Sequence, residues 1–89
     1  MSAQKAEVII YRTQRCPYCL DAAALLDELE IRYQEIHLDD NPDRRSVTRS
    51  ILEGHETVPL ILIGDEPIGG FTELAAMHSS GQLIRRIFG

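Results

Sequence analysis

Cys16-Pro17-Tyr18-Cys19 sits between an apolar run, Val8-Ile9-Ile10-Tyr11, that reads as a strand and a stretch, Leu20 to Leu29, that reads as a helix. Two thiols therefore fall where a strand hands over to a helix, with the first at the helix mouth. The N–H groups of a first helical turn lack intrahelical partners, and the helix dipole places roughly half a positive charge there. A thiolate at Cys16 would be stabilised by both, the usual way a cysteine becomes nucleophilic near neutral pH. Cys19 follows three residues later on the same helical face. That separation brings the two Cα atoms to roughly 5–6 Å, within disulfide range. Pro17 suits the first helical position, where its missing N–H costs nothing.

Other uses of C-x-x-C fit less well. A zinc site needs four ligands, and these two are the only cysteines, while His37, His55 and His78 are widely spaced. A static disulfide belongs to secreted chains, and Met1 to Glu7 lacks the apolar core of a signal peptide. C-x-x-C beside a strand–helix pattern is the redox reading. The expectation is a cytoplasmic protein whose dithiol is kept largely reduced.

Eighty-nine residues are expected to form one domain with a modest core, and a net charge of −5 argues against nucleic-acid binding. The longest apolar run, Val58 to Ile63, is too short to span a membrane. In the first helix Cys19, Ala22, Ala23, Leu26 and Leu29 form an apolar stripe. A second strand is expected over about 32–38, with His37 on its surface. Asn41 reads as an N-cap with Pro42 first in a second helix to about Glu53, which Gly54 ends. That helix carries Arg44, Arg45 and Arg49, the last a candidate for an anionic ligand. Leu60 to Ile63 reads as a buried strand, Gly64 to Pro67 as a hairpin turn, and Pro67-Ile68 as a short return strand. Thr72 reads as the N-cap of a third helix through about His78 with Leu74 and Met77 in the core. A last helix follows Gly81 with Leu83, Ile84, Ile87 and Phe88 as its apolar face. Two strand–helix–strand units and a hairpin make an α/β domain with a mixed sheet and helices on both faces.

Three segments carry a family likeness: Cys16-Pro17-Tyr18-Cys19, Thr57-Val58-Pro59, and Gly69-Gly70 running into Phe71-Thr72-Glu73. In order and spacing, and over essentially the whole chain, they resemble a dithiol glutaredoxin of the thioredoxin-fold superfamily. The resemblance implies a thioredoxin-like fold with a four-stranded mixed sheet, and Cys16 and Cys19 as the catalytic pair. It implies a cis Val58-Pro59 bond against the dithiol, although an X-Pro bond is cis only about 5–6% of the time. It also implies a glutathione site made by Arg15, Tyr18, Thr57, Val58, Pro59, Gly70, Phe71, Thr72 and Glu73. There the Val58 backbone would bind the substrate as an added strand. The helix start at Thr72 would take the γ-glutamyl carboxylate, and Glu73 could meet its ammonium. No bound metal or prosthetic group is expected, with glutathione as cosubstrate, glutathionylated or disulfide-bonded proteins as partners, and a monomer as the working form.

The chain departs from the family at two places. Glutaredoxins commonly carry a lysine three residues before the first catalytic cysteine, and here that position is Thr13. A basic residue often precedes Thr-Val-Pro, and here Glu56 is acidic. Arg12 and Arg15 flank the motif as candidate replacements. Two rival readings remain: a thioredoxin-like donor recharged by a flavoenzyme reductase, and a carrier holding a [2Fe–2S] cluster between two subunits through Cys16 and glutathione. Family members that carry clusters mostly lack this Pro-Tyr dithiol.

Overall fold

The first apolar run becomes β1 (Val8–Arg12), an inner strand of a four-stranded sheet. The computed structural model, which describes residues 4–89, continues with α1 (Pro17–Glu28), β2 (Gln34–His37), α2 (Arg44–Ile51) and β3 (Leu60–Ile63). It ends with β4 (Glu66–Gly69), α3 (Phe71–Ser80) and α4 (Gln82–Phe88). The strand order is β2-β1-β3-β4. β1 runs parallel to β2 across the α1 crossover and antiparallel to β3, which forms a hairpin with β4. The sheet is mixed and flanked by helices, as a thioredoxin-like fold requires.

Side chains alternate across a strand, so one face of the sheet carries Val8 and Ile10 of β1 with Ile61 and Ile63 of β3. These pack with Ala22 and Leu26 of α1, Leu74 of α3, and Leu83 and Ile87 of α4 in one buried cluster. The stripe read from the first helix is thus the side it buries: Cys19, Ala22, Ala23 and Leu26. Fully burying a leucine such as Leu26 contributes about 1.5–3 kcal/mol. Among the described residues no helix is long and apolar enough to cross a membrane.

Several boundaries differ from the sequence reading. The second helix starts at Arg44, not Pro42, with Asp43 in the N-cap position. Asn41 spends its side chain on the Asp43 N–H at 2.9 Å, which closes a local turn through Pro42 and delays the helix. The helix also ends early, at Ile51, and Gly54, with φ 83°, belongs to the loop beyond it. β2 is confined to Gln34–His37. In α4, Leu83 and Ile87 are buried and Phe88 packs on the core, but Ile84 is exposed.

Candidate active site

Cys16 is the N-cap of α1, and its sulfur does what a serine or aspartate oxygen does at other helix starts. Sγ accepts the Cys19 N–H at 3.1 Å. Pro17 takes the first helical position, as its fixed φ allows. Both thiols are free; Cys16 is partly accessible, whereas Cys19 is fully buried. Burial, reinforced by the Cys16 contact, pushes the Cys19 thiol up to about 12. The loop before Cys16 is tied down by the Gln14 N–H, which donates to the Asp39 carboxylate at 2.7 Å. That bond holds Asp39 below the usual carboxylate range.

Across from the cysteines the Val58-Pro59 peptide is cis, and the Cys16 thiol lies 3.7 Å from the Val58 carbonyl oxygen. Val58 precedes β3, outside its ladder with β1, which begins at the Tyr11–Leu60 pair. Next to it the end of β4 turns into α3. Gly69, at φ 117°, makes a turn that L side chains rarely enter, and a Cβ there would strike the Glu73 carboxylate. Gly70 is pressed against the Pro59 carbonyl, which would stand 3.3 Å from a Cβ.

Here the sequence reading of the cap needs correction. Gly70 is the N-cap of α3, so Thr72 is its second residue. The Glu73 carboxylate accepts the Gly70 N–H at 2.8 Å, which is the acceptor half of a capping box. A glycine has no side chain to accept the Glu73 N–H, so that group joins the Phe71 and Thr72 N–H groups, which lack intrahelical partners in the first turn, at the helix mouth.

These segments enclose a hollow of about 180 Å³, lined by Tyr18, His55, Thr57, Val58, Pro59, Gly70, Phe71, Thr72 and Glu73. The Tyr18 and Phe71 rings stack across its rim with centroids 6.4 Å apart. Of the residues named from the sequence for the substrate, Arg15 alone does not line it; its side chain is exposed beside Cys16. Arg12 differs again: it is buried, and its guanidinium pairs with Glu35 of β2. Arg49, a candidate for an anionic ligand, instead lies 3.5 Å from the Glu56 carboxylate.

His55 has no role in the sequence reading. Its Nε2 lies 3.1 Å from the Pro59 carbonyl oxygen, which can only accept, so Nε2 carries the proton in this contact. No motif flags it; the one available signal is a histidine four residues before a proline whose carbonyl needs a donor.

A thioredoxin-type sheet with an N-capping cysteine, a buried partner one turn in and a cis-proline loop opposite defines a thiol–disulfide oxidoreductase. The glutaredoxin family model matches residues 8–68. The glutaredoxin of Ricinus communis is 37% identical over 79 residues, covering 86% of this chain and 78% of its own. Glutaredoxin 3 of Escherichia coli is 40% identical over 80 residues, covering 88% and 93%. A buckwheat glutaredoxin–glutathione complex superposes with a TM-score of 0.82 at 31% identity, covering 92% of this chain and 76% of that one. The chain belongs to the glutaredoxin family, the glutathione-dependent thiol–disulfide oxidoreductases.

Proposed function

We propose that the protein reduces glutathione mixed disulfides and protein disulfides, with Cys16 as nucleophile and Cys19 as resolving thiol. The observation that carries this reading is the contiguity of the Cys16 sulfur, the Val58 carbonyl and the hollow beside them. A disulfide presented at Cys16 would have its glutathione half in that hollow, as the complex formed by the buckwheat relative suggests. The Cys16 thiolate attacks one sulfur of the substrate and expels the other as a thiolate, which takes a proton from solvent. The resulting mixed disulfide is resolved by a second glutathione or by Cys19. Reduction potentials of about −200 to −230 mV in such proteins lie near the cytosolic glutathione poise, so direction follows supply.

The remaining residues hold the tripeptide. Val58 offers its main chain to the peptide portion, in the manner of strand addition. The N–H groups at Phe71 and Thr72 receive the γ-glutamyl carboxylate, and the positive end of α3 favours that charge. Glu73 faces the adjacent ammonium with the oxygen that Gly70 does not use. Tyr18, Thr57 and Pro59 form the walls, and Arg15 is the exposed cation available to the glycine carboxylate. Glutathione is cosubstrate, no bound metal or prosthetic group enters the reaction, and the working form is a monomer in the reducing cytoplasm.

Thr13, standing where a lysine is common, favours the rival in which a flavoenzyme reductase recharges the dithiol. NADPH oxidation coupled through glutathione and glutathione reductase is compared with oxidation coupled through thioredoxin reductase. Turnover through glutathione is expected to dominate; turnover through thioredoxin reductase alone would replace the reading.

A further inference from the structure

The tripeptide proposed for the hollow beside Cys16 carries two carboxylates and one ammonium. The protein itself has a net charge of −5, and among the described residues no lysine or arginine lines that hollow. The one fixed charge in the lining is the Glu73 carboxylate, which suits the ammonium and repels both carboxylates. Of the lining side chains, His55 alone can become a cation. It stands between the two segments that form the walls. Its Nε2 lies 3.1 Å from the Pro59 carbonyl oxygen, and a Cβ on Gly70, the N-cap of α3, would stand 3.7 Å from the ring carbon Cε1. The His55 N–H donates to the Leu52 carbonyl at 3.0 Å, which ties its backbone to the end of α2. The residue is half-buried, so its ring can exchange a proton with water.

We infer that His55 is a specificity-determining residue for glutathione, the side chain that adds positive charge to the hollow when it takes a proton. The inference rests on the proposed placing of glutathione there. Because the Pro59 carbonyl can only accept, the neutral ring keeps its proton on Nε2 and a second proton goes to Nδ1. Titration therefore changes the charge of the wall without breaking the contact to the cis-proline loop. The imidazolium then adds to the positive end of α3, whose N-cap lies beside it, in attracting the γ-glutamyl carboxylate. The charged and titratable groups around it come from four segments. Glu73 of α3 is held by the Gly70 N–H, and Glu53 and Glu56 share the loop of His55, Glu56 lying 3.5 Å from Arg49 of α2. Tyr18 of α1 lines the hollow, and the Cys16 thiol lies 3.7 Å from the Val58 carbonyl oxygen. Of these residue types only a reactive cysteine also changes charge near neutral pH, so Cys16 is replaced in the test.

A merely structural histidine makes a different forecast from this one. Its replacement would weaken binding by the same factor at every pH, leaving the slope of the profile unchanged. The probe is S-methylglutathione, a thioether that cannot exchange, and its binding to the Cys16→Ser protein is followed by calorimetry. Between about pH 5.5 and about pH 7.5 its carboxylates stay ionised while a histidine loses its charge. With His55 present the dissociation constant should rise about 2- to 4-fold across that range, as one partly exposed charge allows. His55→Gln keeps an N–H for the Pro59 carbonyl and cannot titrate, so its profile should be flat and close to the weaker, high-pH value. Linkage gives a second measurement that needs no change at His55. S-methylglutathione should move the titration of the His55 ring, followed by NMR, to higher pH and leave His37 and His78 in place. A flat profile with His55 present, binding that tightens as pH rises, or the same slope in His55→Gln overturns the inference. Should His55→Gln fail to fold, the direction of the NMR shift decides alone. Absence of binding at every pH would instead remove the glutathione reading itself, and this inference with it.

Discussion

Glu73 holds two positions at once, and two substitutions separate them. Its Oε1 accepts the Gly70 N–H at 2.8 Å, while the side chain lines the hollow where an ammonium group would sit. Glu73→Ala deletes both contacts. Loss of an N-terminal cap costs about 1 kcal/mol, which for a domain of this size lowers Tm by about 4–8 °C. Glu73→Gln keeps a carbonyl oxygen for the Gly70 N–H and loses only the charge at the helix start, worth about 0.3–1 kcal/mol near an exposed terminus. For the ligand the two variants are alike, since neither carries a carboxylate. An exposed contact to an ammonium is worth up to about 1 kcal/mol, or about fivefold in KM. Glu73→Gln is therefore expected to keep more stability than Glu73→Ala while raising KM for a glutathionylated peptide as much. Urea unfolding and initial-rate kinetics on the two proteins test this. If KM rises in the alanine variant alone, Glu73 only shapes the turn. If KM falls in the glutamine variant, the carboxylate was repelling the ligand and the assignment of the ammonium is wrong.

Cys16→Ser should abolish activity on both a glutathionylated peptide and a disulfide-bonded protein, whereas Cys19→Ser should retain much of the first and lose most of the second; the opposite pattern on the peptide reverses the roles. Thr13→Lys should lower KM for glutathionylated substrates several-fold at low salt, an exposed charge-assisted contact being worth about 1 kcal/mol, and no change would mean that Arg15 already fills that role. The Cys19 thiol is raised from 9.0 to about 12 in the folded protein, so between those values the unfolded chain has lost a proton that the folded one keeps. Stability of the reduced protein should therefore fall as pH rises through that window, and fall less in Cys19→Ala, as urea midpoints at about pH 8 and about pH 10.5 would show. Leu26→Ala, at a position with no exposure, should cost about 2–5 kcal/mol in the same unfolding assay without a change in slope.

Legibility in the sequence divides along physical lines. The helix stripe, the buried strand Leu60–Ile63 and the cysteine pair are set by local periodicity and by residue types with few alternative uses, and the α/β order comes from them. Caps are harder, because they are competitions. Thr72 has the better capping side chain, yet the turn that Gly69 permits and the carboxylate that Glu73 returns move the cap to Gly70. Asn41 likewise loses its place because its side chain closes a turn of its own. Arg12 illustrates how one residue of strand length matters: ending β1 at Tyr11 leaves Arg12 in a loop facing solvent, while adding it to the alternation turns it inward. His55 binds a backbone carbonyl, a partner with no side-chain signature.

The hairpin that supplies Pro59 and Gly70 has a further consequence. Both residues flank its open end, and the two-residue turn at Gly64 and Asp65 lies at the other pole, where a side chain on Gly64 would meet nothing. The pairing skips one residue of β4, Ile68, between the Leu62–Pro67 and Ile61–Gly69 pairs, a bulge that sets how far β4 reaches. The distance across the mouth is thus a ruler counted in residues. Grafting extra residues into the turn leaves the count untouched, as loop tips commonly allow. Deleting the bulged residue would slide Gly70 along the strand by about 3.4 Å and swap the faces of the residues beyond it. In evolution as in the laboratory, this protein can grow at one end of its hairpin and must keep strict measure at the other.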